Sequence, residues 1–244
     1  MPLRIAFDLD GTVADMDGAL GREVVKLFGE SRALPRVAPA AENPAPDDLT
    51  DASRAAAPDD ESSVTERMHL TTREQQRLWR HVNEIENFWE GLEEIEPGIV
   101  ARLWTVSRER RWEVIFLTQR PETRGATPQL QSQRWLARCG FELPSVYVVD
   151  GSRGRVAASL SLDVVVDDRP VNCLDVATES KARSILVWRA PEQHLPASAR
   201  RVGIGVVKSV AECLDILTQI DAITRPTMID KLKRLLGLNS AALA

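Results

Sequence analysis

Five short apolar runs, rich in β-branched residues, constrain the fold of this chain more than any other feature. Near-continuous runs of this kind are typical of parallel strands that are covered on both faces of a sheet. Stretches with helical spacing separate them, and this alternation predicts an α/β fold with a doubly wound parallel sheet. The runs are residues 3–7, 114–117, 146–149, 164–166 and 184–188.

Acidic and hydroxyl side chains stand where these predicted strands end. Asp8 and Asp10 follow the first run, Thr118 follows the second, and Asp167 and Asp168 follow the fourth. In doubly wound folds, the loops at the carboxyl ends of the strands build the functional site. We therefore expect these side chains to meet in one crevice.

Four carboxylates in one crevice repel one another unless a cation or a shared proton relieves them. Carboxylate oxygens are hard ligands, and a site that also keeps water ligands is typical of Mg²⁺. Gly11 follows the first acidic pair and lets the backbone approach a ligand closely. The pattern thus predicts a magnesium site at this edge of the sheet.

Residues 16–96 interrupt the alternation and are predicted to form a small, mainly helical insert after the first strand. Within it, residues 33–63 contain five prolines and a net charge of -5, and no aromatic side chain. Such a stretch buries too little apolar area to offset its ordering entropy, so we expect it to be mobile. A helix over residues 78–92 is predicted by the spacing of Leu78, Val82, Ile85, Trp89 and Leu92.

The remainder divides into a core of residues 1–15 and 97–225 and a terminal amphipathic helix and tail at 226–244. That helix is predicted to dock on the core or to support self-association. The formal charge of the chain is -5, which argues against nucleic-acid binding through bulk charge. No apolar stretch is long enough to span a membrane, and Cys139, Cys173 and Cys213 form no C-x-x-C pair. We expect a cytoplasmic protein.

The motif Asp8-Leu9-Asp10-Gly11-Thr12, the isolated Thr118, a later basic residue and the Asp167-Asp168 pair stand in a fixed order. Together they resemble the four motifs of the haloacid dehalogenase (HAD) superfamily. The resemblance implies a Rossmann-like core with a helical cap, which matches the predicted insert. It covers the core and leaves most of the insert unexplained.

The resemblance also implies a role for each motif residue. Asp8 would be the nucleophile that forms an aspartyl-phosphate, and Asp10 the general acid and base. Thr118 would bind the transferring phosphoryl group. The metal ligands would be Asp8, the Asp10 carbonyl and Asp167, with support from Asp168. Substrate contacts are expected from Gly11, Thr12, Thr118, Gln119 and Arg120.

The basic motif departs from the family pattern, in which lysine is usual. Arg153 and Arg155 are the candidates here, and Arg153 is preferred because it directly follows the end of the third run. Arginine binds a phosphate through two parallel hydrogen bonds and is not equivalent to lysine.

The implied activity is hydrolysis of a small phosphorylated metabolite. The second carboxylate of the first motif, Asp10, argues against a dehalogenase, whose leaving halide needs no acid. A phosphonate-cleaving enzyme would need a lysine in the insert, where Lys26 is the only one, and an acidic, Pro-rich insert suits a mutase poorly. The start of the chain also resembles the 5'(3')-deoxyribonucleotidase branch, which makes a nucleotide one candidate substrate. The alternative is a HAD-fold binding or scaffold protein with little or no turnover.

Overall fold

The computed structural model of the protein describes residues 2–29, 70–196, 199 and 203–224. The acidic segment 33–63 and the terminal helix at 226–244 lie outside the described residues. Their predicted mobility and role in self-association therefore stay predictions. Within the described ranges, no helix is both long enough and apolar enough to cross a membrane.

A parallel sheet forms the centre of the described structure, as the apolar runs predicted. Its six strands follow the order β3-β2-β1-β4-β5-β6. All five predicted strands are present, and β6 adds a three-residue edge strand that is too short to leave a clear signal in the sequence. The strands are β1 (Arg4–Asp8), β2 (Glu113–Thr118), β3 (Ser145–Val148), β4 (Val164–Asp167), β5 (Arg183–Val187) and β6 (Gly205–Val207).

Helices connect the strands, and polar caps define where several of them begin. Thr71 forms a capping box with Glu74, and Ser152 caps a later helix through its side-chain oxygen. The α-helices whose bounds the structure describes are α1 (Met16–Phe28), α2 (Thr72–Glu84), α3 (Ile99–Arg110), α4 (Pro128–Arg138), α5 (Arg153–Ser159), α6 (Pro170–Glu179) and α7 (Val210–Thr224).

Both faces of the sheet are covered, which explains the near-continuous apolar runs. Along β1, Ile5 and Phe7 belong to the larger core cluster, whereas Ala6 belongs to a second cluster on the opposite face. Successive side chains of a strand point to opposite faces, so consecutive positions such as Ile5, Ala6 and Phe7 are all apolar.

The helix predicted over residues 78–92 was wrong in its second half. α2 ends at Glu84, Ile85 is extended, and Asn87 adopts a left-handed conformation with φ of 52°. The Asn87 backbone N–H donates to the Arg124 carbonyl at 2.8 Å, and its side-chain oxygen accepts from the Ala126 N–H at 2.9 Å. These bonds to the loop after β2 replace the helical ones. Trp89 is thereby placed in a short 3₁₀ helix (Phe88–Gly91), where it is fully buried.

A buried carboxylate links α1 and α2, two helices of the predicted insert. On α1, Glu23 accepts hydrogen bonds from Lys26 at 2.7 Å and from His81 of α2 at 2.9 Å. Burial by itself raises the pKa of Glu23, but the bonds from Lys26 and His81 outweigh it and leave the pKa below its ordinary value.

Replacement of Glu23 by glutamine should therefore destabilise the protein at neutral pH by about 1 kcal/mol. A depressed pKa in the folded state contributes stability above about pH 4.3, and the contribution is lost as the pH falls through the folded value. Urea denaturation of Glu23→Gln and of the wild type at pH 7 and pH 3.5 measures the effect. The difference should shrink at the lower pH.

Glu113→Gln provides the control, because the Glu113 carboxylate is paired at 2.9 Å with Arg4 but is 57% exposed. This substitution should change stability by less than about 0.5 kcal/mol at either pH. A Glu23→Gln difference of equal size at both pH values would contradict the electrostatic explanation.

Candidate active site

Three carboxylates meet where β1 and β4 end side by side. Asp8 and Asp167 are the last residues of these two neighbouring strands, and Asp168 follows directly. One oxygen from each of the three lies within 4.8 Å of the others, in a group that could hold a metal ion. Asp8 and Asp167 are buried, so their charges require compensation from close partners.

The loop after β1 supports this cluster, and Gly11 is essential to it. Gly11 has φ of +85°, and a Cβ atom there would lie 2.2 Å from Oδ2 of Asp168. The fully buried Thr12 has its hydroxyl 3.4 Å from Oδ1 of the same carboxylate. We predicted that Gly11 and Thr12 bind substrate; the structure places both against Asp168.

Asp167 is oriented by groups at the start of α6. It accepts a hydrogen bond from the Arg169 backbone N–H at 2.8 Å and two from Asn172 Nδ2 at 3.0 and 3.2 Å. Burial raises the pKa of Asp167, although the charge of Arg153 and these hydrogen bonds oppose the rise. Asn172 was missed by sequence reasoning, and its spacing of five residues from Asp167 was the available signal.

Arg153 reaches the cluster from the first position of α5. Its Nη2 donates to Oδ1 of Asp8 at 3.1 Å, and its Nε lies 4.0 Å from Oδ2 of Asp167. Only 3% of the residue is exposed. The side chain of Arg155, in contrast, is 83% exposed and lies 3.9 Å from Glu179. Of the two basic candidates, the structure brings only Arg153 to the carboxylates.

Asp10 is occupied by a different set of partners. Thr118 donates its hydroxyl hydrogen to Oδ2 of Asp10 at 2.9 Å, and the Arg120 guanidinium binds both carboxylate oxygens. We expected Arg120 to contact substrate, but its side chain has no exposed surface. Gln119, which stands between Thr118 and Arg120 in the sequence, directly follows β2 and is partly buried.

A cavity of about 400 Å³ adjoins the carboxylates at Gly11 and Asp168. Met16, Ile95 and Trp188 contribute apolar surface to its lining. This cavity was not predicted, because its walls come from the insert and from the segment after β5.

Arg189, which also lines the cavity, fixes the position of the loop after β1. It donates to the carbonyl oxygens of Gly11 at 2.7 Å and Thr12 at 2.9 Å, and it binds the Glu96 carboxylate at 2.8 Å. Asp15, another lining residue, caps α1 by accepting a hydrogen bond from the Gly18 N–H at 2.9 Å.

No protein-family model and no curated protein sequence matches the chain. Several solved structures resemble it. A predicted phosphatase from Clostridium acetobutylicum aligns with a TM-score of 0.52 and 14% identity, over 90% of this chain and 99% of that one. A HAD family hydrolase from Deinococcus radiodurans R1, crystallised with phosphate and sodium, aligns with a TM-score of 0.51 and 16% identity, over 89% and 96%.

A hydrolase from Pseudomonas syringae aligns with a TM-score of 0.50 and 14% identity, over 90% of this chain and 99% of that one. At such identities the likeness establishes the fold alone. The protein has an α/β fold of the Rossmann-like class, with an acidic cluster at the carboxyl edge of its sheet. More specifically, the fold is that of the HAD hydrolases, which confirms the fold that the ordered motifs implied.

The two arginines provide a matched test of the site. If the site binds phosphate, Arg153→Ala should lower kcat/KM for a phosphate monoester by about 100-fold or more, because an anion beside Asp8 loses its guanidinium partner. Arg155→Ala should leave kcat/KM within about twofold of the wild type, because an exposed ion pair contributes little. Steady-state phosphate release measures both variants. Equal losses would contradict the assignment of Arg153.

Proposed function

We propose that the protein is a Mg²⁺-dependent phosphate monoester hydrolase that acts through an aspartyl-phosphate on Asp8. The observation that carries the proposal is the convergence of Asp8 with Asp167 and Asp168, within 4.8 Å, beside a buried arginine at 3.1 Å. A nucleophilic carboxylate, further anionic oxygens and a cationic group are what phosphoryl transfer requires in one place.

The donor set fits a hard divalent cation. Asp8, Asp167 and Asp168 would hold it through carboxylate oxygens, which Mg²⁺ prefers to nitrogen or sulfur ligands. The Asp10 side chain is engaged by Arg120, so any contribution of Asp10 to the metal would come from its backbone carbonyl. When bound, the ion neutralises charge between the nucleophile and the phosphate.

Each protein group then has a defined part in the reaction. An oxygen of Asp8 attacks phosphorus, the bond between phosphorus and the ester oxygen breaks, and Asp10 supplies a proton to the departing alkoxide. Water next attacks the aspartyl-phosphate, Asp10 takes a proton from it, and inorganic phosphate leaves with Asp8 regenerated. Arg153 and the Thr118 hydroxyl would bind the oxygens of the transferring phosphoryl group.

The cavity beside Asp168 suggests where a leaving group could lie. Its volume of about 400 Å³ suits a small metabolite, and Trp188 in its lining is an aromatic side chain that a flat ring could contact. A nucleotide remains one candidate on this ground and on the resemblance of the first motif to deoxyribonucleotidases.

The first experiment measures p-nitrophenyl phosphate hydrolysis by the purified protein, with Mg²⁺ and with a chelator. We expect turnover that chelation abolishes and Mg²⁺ restores. Asp8→Asn should reduce kcat by at least about 1,000-fold, because an amide is too poor a nucleophile to form the intermediate.

Asp215→Asn is the control, since its carboxylate is 60% exposed and binds Arg102 of α3. We expect this variant to retain wild-type turnover. Absence of Mg²⁺-dependent turnover in the wild type, or equal turnover in Asp8→Asn, would contradict the proposal and favour a binding or scaffold role. A panel of nucleotides, sugar phosphates and amino-alcohol phosphates then identifies the leaving group.

A further inference from the structure

Arg120 is a buried cation that forms an ion pair with one carboxylate, that of Asp10. Its Nε lies 2.8 Å from Oδ2 and 3.1 Å from Oδ1 of Asp10, and its Nη2 lies 2.6 Å from Oδ1. Neither side chain is more than 2% exposed. This two-point arrangement fixes the plane of the carboxylate, whose terminal torsion is otherwise broad.

Several groups hold the guanidinium itself in place. Nη1 donates to the Ser132 hydroxyl at 2.9 Å, and that hydroxyl donates to the Pro128 carbonyl at 2.7 Å. The guanidinium carbon lies 5.0 Å from the ring centroid of Trp89 and 6.0 Å from that of Trp135, within the range of cation–π attraction. Arg120 is therefore constrained from more than one direction.

The indole rings are also anchored. Trp89 Nε1 donates to the Pro121 carbonyl at 3.0 Å, and Trp135 Nε1 donates to the Leu92 carbonyl at 2.9 Å. Trp89 belongs to the predicted insert, whereas Trp135 lies on α4 of the core. The orientation of Asp10 thus depends on contacts from both parts of the chain.

We propose that Arg120 is the positioning residue of the acid–base carboxylate: it acts through Asp10, and not by contact with the substrate. The inference rests on the proposed function. Its basis is that the Arg120 side chain has no solvent-exposed surface and directs two of its nitrogens at Asp10 and the third at Ser132.

The same contacts assign a second part to Thr118. A carboxylate offers about four acceptor directions, and two oxygens of Asp10 already receive four donor contacts, three from Arg120 and one from Thr118. A proton can pass between Asp10 and a substrate oxygen only after one contact opens. The Thr118 hydroxyl is the contact that can turn, because binding a phosphoryl oxygen redirects its hydrogen. One acceptor position of Oδ2 is then free, while Arg120 keeps its Nε against Oδ2 and its Nη2 against Oδ1.

The test compares two substrates that differ in their need for an acid. An alkyl phosphate such as glycerol phosphate requires protonation of its leaving oxygen, whereas p-nitrophenyl phosphate requires it far less. In both cases kcat/KM reports the steps up to departure of the leaving group.

Arg120→Lys keeps the positive charge but removes the planar guanidinium that binds both oxygens of Asp10. It should lower kcat/KM for the alkyl ester by about 100-fold and for the aryl ester by less than about 10-fold. Added to Asp10→Asn, the same substitution should cause little further loss, because two residues that act as a unit are not additive.

Ser132→Ala keeps the ion pair and removes only the hydroxyl that orients it. It should lower the ratio of kcat/KM for the alkyl ester to kcat/KM for the aryl ester by about threefold to tenfold. If Arg120→Lys does not fold, Ser132→Ala provides the test in its place. Arg134→Lys is the control on the same helix as Ser132. Arg134 is 52% exposed and pairs with Glu90 at 3.1 Å, so the ratio should not change.

The outcomes separate this inference from the proposed function. Equal losses on both esters, with a lowered melting temperature, would indicate a purely structural role and overturn it. A rise in KM on both esters with kcat unchanged would indicate substrate binding and also overturn it. Absence of turnover in the wild type would overturn the proposed function, and this inference with it.

Discussion

Four carboxylates, three of them buried, lie at one edge of the sheet, and their charge is the constraint on which the rest of the site depends. Asp8, Asp10 and Asp167 are almost completely buried, and Asp168 lies against Gly11. Unpaired charges in such a place would cost several kcal/mol each. The surrounding structure supplies positive charges and hydrogen-bond donors that compensate the carboxylates. Different donors bind the Asp8 group and Asp10, which divides the site into two parts.

Each part has its own arginine. Arg153 enters from α5 and contacts Asp8 and approaches Asp167, the group that fits a cation and a phosphate. Arg120 enters from the segment after β2 and contacts Asp10 alone among the four. Separate cationic partners keep Asp8 and Asp10 in distinct environments, as the proposed roles of nucleophile and acid–base group would require.

The fold and the centre of the site could be predicted because both depend on local patterns. Strand ends at Asp8, Thr118 and Asp167 are marked by abrupt changes from apolar to polar residues, and parallel pairing brings such ends together. The helix predicted to continue through Trp89 failed because Asn87 bonds to the loop after β2, a partner 37 residues away at Arg124. No local pattern records a contact of that kind.

The sequence by itself determined the sheet, the order of its motifs and the carboxylates that meet at its edge, because strand periodicity and strand ends are properties of neighbouring residues. Only the tertiary structure decided which partner each carboxylate receives. Arg120 was expected to face substrate and instead binds Asp10, while Arg153 and not Arg155 turns inward. Which arginine side chain points inward depends on helix packing and on burial, because a charged group is stable inside the protein only beside a buried group of opposite charge.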